Sequence, residues 1–461
     1  MKKLTKILIC LMLCVLSIGF VACDKRTEKE KNFTYPAAAD AIKGNGGMAV
    51  QKGNYLYFVN GYKSITTEGL NKKSTFNVGS LMLMKLDEDG NIVTDEKGLL
   101  KDEYYISMHN KLCGYEATNL YIHGEYLYFA TPTMEDESKE TAGDKDVWAK
   151  ERTLICRIKL DKTSKVETVY ECGVKVENLE YEYYEEGGNL FILVYEKGNS
   201  YYADNGNNAL IRVHANGKSS SLVATDVTDV VFAENTDEIF YLQDKELKQY
   251  NIATAGYTDY ATLTNSLDLQ FVANGELYAT ESVSAGDNSG TKLKVSNIAN
   301  KSGFSDVYTY TESLTLSVTP DGLCVVGAGQ DKLVLIRAGH APIFINVEGA
   351  SQVEVSGFVN GCVIYVVDKD EKHVIQSISY SNAVAGDTQT PRTLATLTLD
   401  VRKFDMASDE NYLYLLSKQG SNNYLTRVKV RQNIEEKFEV VGVYENADIP
   451  AAEETPAEDE E

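Results

Sequence analysis

Tyr55-Leu56-Tyr57-Phe58-Val59 decides the fold, because it comes back. Asn54-Tyr55-Leu56-Tyr57-Phe58-Val59 aligns almost letter for letter with Glu125-Tyr126-Leu127-Tyr128-Phe129-Ala130. Looser copies begin at Asn189, Asp237, Gly275, Gly322, Gly361 and Asn411, as in Gly275-Glu276-Leu277-Tyr278-Ala279 and Asn411-Tyr412-Leu413-Tyr414-Leu415. Each copy is a turn or polar residue followed by a short apolar, aromatic or β-branched run, the pattern of a buried strand rather than a helix. Recurrence at intervals of a few tens of residues marks a repeat architecture.

Around each run the chain supplies three more strands. In the second unit Asn119-Leu120-Tyr121-Ile122-His123 precedes it, Arg152 to Ile158 follows, and Lys165 to Tyr170 closes the unit after the turn Asp161–Ser164. The linking turns carry Asn, Asp and Gly, as hairpins require. Four-stranded antiparallel units repeated around a shared core make an all-β fold, a β-propeller. Eight four-stranded blades are expected, with seven if the first or last unit is irregular. They divide near Phe33–Asp95, Tyr115–Gly173, Val176–Asp226, Thr228–Leu263, Leu267–Glu312, Ser313–Gly349, Gln352–Leu397 and Val401–Tyr444.

The N-terminus reads as a leader. Lys2, Lys3 and Lys6 precede an apolar run from Ile7 to Ala22, too short for a membrane span. It ends in Phe20-Val21-Ala22-Cys23, which resembles the lipobox of bacterial lipoproteins. That resemblance implies cleavage before Cys23, a diacylglycerol thioether on its sulfur and fatty-acyl chains of the palmitate type in a bilayer. Residues 1–22 are then the signal peptide and residues 23–32, Lys- and Glu-rich, a flexible tether. The folded body spans 33–445, and 446–461 form an acidic tail in which six of the last nine residues are Glu or Asp. The expected location is the cell membrane, lipid-anchored, on the extracytoplasmic side.

The formal net charge of −23 becomes about −26 once Lys2, Lys3 and Lys6 leave with the leader. Such a charge repels nucleic acid and anionic bilayer surfaces, so contact with a membrane is through the acyl anchor. The lipobox and the repeated Tyr-Leu-Tyr-Phe-type strand together resemble the uncharacterised lipoprotein β-propellers of Gram-positive bacteria, a group of domains of unknown function. The sequence lacks the Trp-Asp, Tyr-Trp-Thr-Asp and kelch signatures of other propellers. Its single Trp148 sets it apart from propellers with one docking Trp per blade.

The first two intervals between runs, 71 residues from Tyr55 to Tyr126 and 64 from Tyr126 to Leu190, exceed the rest. The surplus falls in Asn60–Ser80, Asp95–Thr118 and Thr131–Glu151. Connections of these types emerge on one face of a propeller, with Gly198–Asn208 and Ser284–Thr291 beside them. Long loops in a compact domain are a common place for function. Their aromatic residues, Trp148, Tyr62, Tyr104, Tyr105, Tyr115, Tyr201 and Tyr202, are the candidates for stacking on a glycan or anchoring an envelope protein.

Catalytic signatures are missing from the sequence. The five histidines lack metal spacing, and no nucleophile elbow or phosphate loop occurs. Asp87-Glu88-Asp89-Gly90-Asn91 matches only a fragment of a calcium loop and reads as a hairpin turn. No catalytic residue, metal site or cofactor is assigned. Cys113, Cys156, Cys172, Cys324 and Cys362 show no framework of spacings, so no disulfide is expected to be needed for folding. The expected function is a binding or scaffolding module acting through the loop-rich face of blades one to three. The alternatives are an envelope hydrolase or lyase with its site at the mouth of the central channel, or an assembly factor for other envelope proteins.

Overall fold

In the computed structural model, the structure describes residues 32–59, 80–96, 101–112, 119–132, 153–161, 166–174, 178–198, 208–232, 238–284, 289–301, 303–337, 340–359, 361–369, 372–380, 391–397, 400–406, 412–419, 422–429 and 439–441. Seven four-stranded antiparallel meanders follow a first sheet of five strands. Numbered in chain order, sheet one runs from Ile42 to Leu112, and blades two to eight begin at Tyr121, Leu179, Val227, Asp268, Thr315, Gln352 and Asp400. In each blade the recurring run is the second strand, as in Tyr126–Pro132, Asn189–Glu196 and Glu276–Val283.

Burial explains why these runs are apolar along their whole length. All five residues of Tyr55–Val59 are buried, and so are seven of eight in Asn189–Glu196. Both faces of a second strand meet a neighbouring sheet. One apolar cluster joins sheet one to blade two through Val50, Tyr57, Leu120, Phe129 and Cys156. Equivalent clusters join blades two and three, three and four, four and five, five and six, and six and seven. The first strands of blades seven and eight lie side by side. Tyr412 and Tyr414 of blade eight pack on Met48, Leu56, Phe58 and Met82 of sheet one, which closes the ring. Fully burying one such side chain is worth about 1.5–3 kcal/mol, so no sheet is stable without its neighbours.

Local geometry follows the turn chemistry. The first hairpin of blade five turns on Asn274-Gly275, with φ of 49° and 74°, the pairing a tight two-residue turn demands. In blades two, three, four, five and seven the pairing of third and fourth strands shifts register by a bulge, at Ile155/Cys156, Leu210/Ile211, Leu247/Lys248, Leu293/Lys294 and Ile375/Gln376. Each bulge increases the twist of its blade.

A second repeated device is an arginine on or just after a third strand, which reaches into the next sheet. Arg157 donates to the Ala215 carbonyl at 3.2 Å, Arg337 to the Tyr380 carbonyl, and Arg427 to the Gly90 carbonyl at 2.9 Å. All three acceptors lie in the turn after the following sheet's corresponding strand. Arg427, fully buried, also lies 4.3 Å above the Tyr412 ring and bolts the closing seam.

Two expectations are corrected. Eight four-stranded blades give way to seven, because the first unit is irregular. A two-residue strand, Ile42–Lys43, adds to Ala49–Lys52 and makes that sheet five-stranded. The first unit also extends past Asp95. Residues expected as an interblade loop form a 3₁₀ turn, Asp102–Tyr104, and the strand Tyr105–Leu112 paired with Ser80–Met84. The segment Asp87–Asn91 is the hairpin turn it was read as. The Asp87 carboxylate accepts from the backbone of Asp89 at 2.9 Å and of Asn91 at 2.7 Å, which holds it below the usual aspartate range. No helix among the described residues is long and apolar enough to cross a membrane.

Candidate functional site

The first strands of blades four, five and six approach one another in succession, as do those of blades seven and eight. They therefore form the inner wall of the ring. In a meander, the start of the first strand shares an end of the sheet with the end of the second and the start of the third. The connections across 60–79, 133–152 and 199–207 thus leave and re-enter at the end of the ring where the first strands begin. That end is the channel mouth.

Three acids stand there at the starts of consecutive first strands: Glu180 of blade three, Asp229 of blade four and Asp268 of blade five. Glu180 and Asp268 are exposed and Asp229 is half-buried. A register shift between Val227 and Asp229 turns the aspartate out of the regular pleat. One carboxylate oxygen then accepts the Leu269 backbone N–H of the next blade at 2.6 Å, and the other accepts the Val230 N–H at 2.9 Å. Burial pushes the carboxyl up to about 6. The two N–H bonds oppose that shift, while Asp268 and Glu180 add to it.

Blade three builds the adjoining wall. The Tyr195 hydroxyl donates to the Val227 carbonyl at 3.1 Å, and the Asn208 amide donates to that hydroxyl and to the same carbonyl, each at 2.9 Å. The Asn208 side-chain oxygen accepts the Gly198 N–H at 3.0 Å. Lys197 pairs with Glu180 and sits 5.6 Å from the Tyr195 ring centre. Burial, with Asp229 and Glu180 nearby, pushes the Tyr195 phenol up to about 12, so it stays a hydrogen-bond donor throughout the neutral range. Behind this wall the fully buried Glu196 accepts the Gly173 N–H at 3.0 Å, tying the interblade link to the second strand.

Chemically the mouth can do two things. A carboxyl that titrates near neutrality can take or give a proton at physiological pH, and with its two neighbours it can hold a cationic group. Among the described residues no group of three or more His, Cys, Asp or Glu is placed to hold a metal ion.

At the opposite end, where first strands turn into second strands, blades two and three share another polar cluster. His123 Nδ1 lies 3.0 Å from a Glu185 carboxylate oxygen that also accepts from the Tyr121 hydroxyl at 3.1 Å. Tyr121 in turn stacks on Tyr183. Back at the mouth end, in blade seven, His373 and Asp368 face each other at 2.5 Å across the hairpin between second and third strands.

The aromatic candidates divide. Trp148, Tyr62, Tyr115, Tyr201 and Tyr202 lie outside the described residues, as does Cys23. Tyr104 is half-buried in the 3₁₀ turn. Tyr105 is corrected from a loop ligand to a core residue. It begins a strand, is 8% exposed, and packs with Tyr412 and Tyr414 in the closing seam. Tyr201 and Tyr202 belong to the segment whose described ends, Gly198 and Asn208, frame the Tyr195 wall. Of the described cysteines, Cys156, Cys172 and Cys324 are buried and Cys362 half-buried, and none of the four is in a disulfide. Sequence reasoning passed over Glu180, Asp229, Asp268, Tyr195 and Asn208. The readable signal was an acid at the start of three successive first strands, visible only when the repeats are stacked.

No protein-family model and no curated protein sequence matches the chain. Among solved structures, it is similar to TolB from Acinetobacter baumannii, with 8% identity over 68% of this chain and 79% of that one, at a TM-score of 0.34. It is also similar to dipeptidyl peptidase 4 of Porphyromonas gingivalis, with 12% identity over 69% of this chain and 52% of that one, at 0.44. For a prolyl endopeptidase the values are 9%, 71%, 50% and 0.44. The chain spans about half the length of these peptidases. The likeness is one of fold, a β-propeller.

Proposed function

We propose that the protein is a lipid-anchored, extracytoplasmic β-propeller that binds a protein or glycan of the cell envelope through the channel-mouth end of its ring. The observation that supports this reading is positional. The connections across 60–79, 133–152 and 199–207 all start and finish at the end that carries Glu180, Asp229 and Asp268. Cys23, after its lipobox, is the anchor in this reading, and Trp148, Tyr62, Tyr115, Tyr201 and Tyr202 are the aromatic contacts. The test compares the wild-type chain with one shortened across residues 134–149 and with Trp148→Ala, on isolated envelope glycan and on fractionated envelope proteins. Retention of a defined component by the wild type and its loss in the variants is the expected result. Equal retention by all three would remove the loop face from the argument.

A hydrolase with its site at the same mouth is the second reading. It is favoured by the Asp229 carboxyl, tuned to about 6 beside two other carboxylates. Turnover of a glycan or peptide panel, abolished by Asp229→Asn and retained by Glu185→Gln at the opposite end of the ring, would establish it.

A further inference from the structure

The chain before Ala49 is a strap that begins on the end of the ring opposite the mouth and runs along the first strands of sheet one and blade two toward the mouth. Phe33, 6% exposed, packs on Tyr35 and Tyr55 with ring centres 6.0 and 6.4 Å away. The Tyr55 hydroxyl donates to Thr34 Oγ1 at 2.9 Å. Leu160 and Val166, which flank a turn of blade two, close over the same cluster. Next, the Gly53 N–H donates to the Ala41 carbonyl at 2.9 Å, and Ile42–Lys43 pairs with Gln51–Lys52. The strap then crosses to blade two. The Asn45 side chain both accepts the Ile122 N–H at 2.8 Å and donates to the Ile122 carbonyl at 3.0 Å. Gly46 donates to the Leu120 carbonyl at 2.9 Å, and Leu120 to the Gly47 carbonyl at 2.8 Å. Gly53 and Tyr55 border the hairpin joining Ala49–Lys52 to Tyr55–Val59, the counterpart of the first-to-second-strand hairpin of the other blades, so the strap begins at the hairpin end.

From this placement we infer that the hairpin end of the ring is its membrane side, and that the channel mouth with Asp229 looks away from the bilayer toward a water-borne partner. The inference rests on the anchor reading of Cys23. Ten residues, 23–32, separate that sulfur from Phe33. Fully extended they reach about 35 Å. Turning the ring over would take the tether outward across two strand spacings, about 10 Å, and then along a strand of eight residues, about 26 Å. That path uses the whole reach, so only a straightened tether could bring the mouth to the lipid.

Energy transfer on the full acylated chain tests the assignment. Cys113→Ser and Cys362→Ser remove competing thiols, and a donor dye is placed at Glu125→Cys, on the hairpin end, or at Gln352→Cys, at the mouth. The protein is reconstituted in phosphatidylcholine vesicles with a headgroup acceptor dye. Severalfold more transfer from position 125 than from position 352 is the expected result. Equal or reversed transfer from protein whose Cys23 carries acyl chains by mass spectrometry would overturn the face assignment and leave the anchor standing. A Cys23 without acyl chains would overturn both.

Discussion

Replacing Asp229 with asparagine separates a carboxyl kept for stability from one kept for function. Its folded value is about 6 against an ordinary 3.8. The fold therefore binds that proton more tightly than the unfolded chain does. The associated stabilisation is complete below pH 3.8 and is lost as pH rises through 6. At pH 7 the buried carboxylate costs about 3 kcal/mol, from roughly two pH units at 1.36 kcal/mol each. Asparagine keeps an oxygen for the Leu269 N–H but gives up one acceptor, that of the Val230 N–H, at about 1 kcal/mol. A net gain of about 1–2 kcal/mol at pH 7 follows, a rise in Tm of about 1–2 °C for a ring of this length. At pH 4 the native side chain is already protonated and the advantage disappears. Thermal unfolding by circular dichroism from pH 4 to 8 reads this directly. A Tm difference that does not change with pH, or a variant less stable than wild type at pH 7, would refute the reasoning. A gain confined to high pH marks an acid held at the mouth against the interest of the fold, as binding and catalytic groups are.

Other substitutions probe the frame. Arg427→Met removes the buried donor to Gly90 and the stack on Tyr412, and should cost about 3–5 kcal/mol in urea unfolding, whereas a midpoint within error of wild type would exclude a bolt at the closing seam. The Tyr57 hydroxyl is fully buried with no hydrogen-bond partner among the described residues, so Tyr57→Phe should raise stability by about 1 kcal/mol, and a loss would place a further partner there. In the native state Cys362 should react with a thiol reagent well before Cys156, Cys172 and Cys324, whose burial blocks access and, for Cys172 and Cys324, raises the thiol pKa; peptide mapping that shows all four modified together would indicate a looser ring.

The architecture was legible because second strands are sandwiched between sheets, and double burial leaves an unbroken apolar run such as Leu190 to Tyr195. The first unit misled for a physical reason. Ile42–Lys43 is too short to carry periodicity, and Tyr105 to Leu112 alternates weakly with polar residues after a long irregular stretch. Its Tyr105 looked like a loop aromatic until its partners in blade eight came into contact. The mouth was harder still. Glu180, Asp229 and Asp268 sit in different blades, and each alone is an ordinary surface acid of a strongly acidic chain. Only the side-by-side packing of blades three, four and five brings them to one rim, and only a bulge and burial give Asp229 its proton affinity.

Among the described residues, no sheet of this ring borrows a strand from the far end of the chain. Every module is complete as soon as its own residues leave the ribosome, and each can dock on the one before it. The exception is the last joint, where Tyr412 and Tyr414 must find Met48 and Phe58 across most of the polypeptide. Until then a growing arc shows a greasy flank at both ends, which makes the final step the slow one and the arc the species that a folding helper would have to guard.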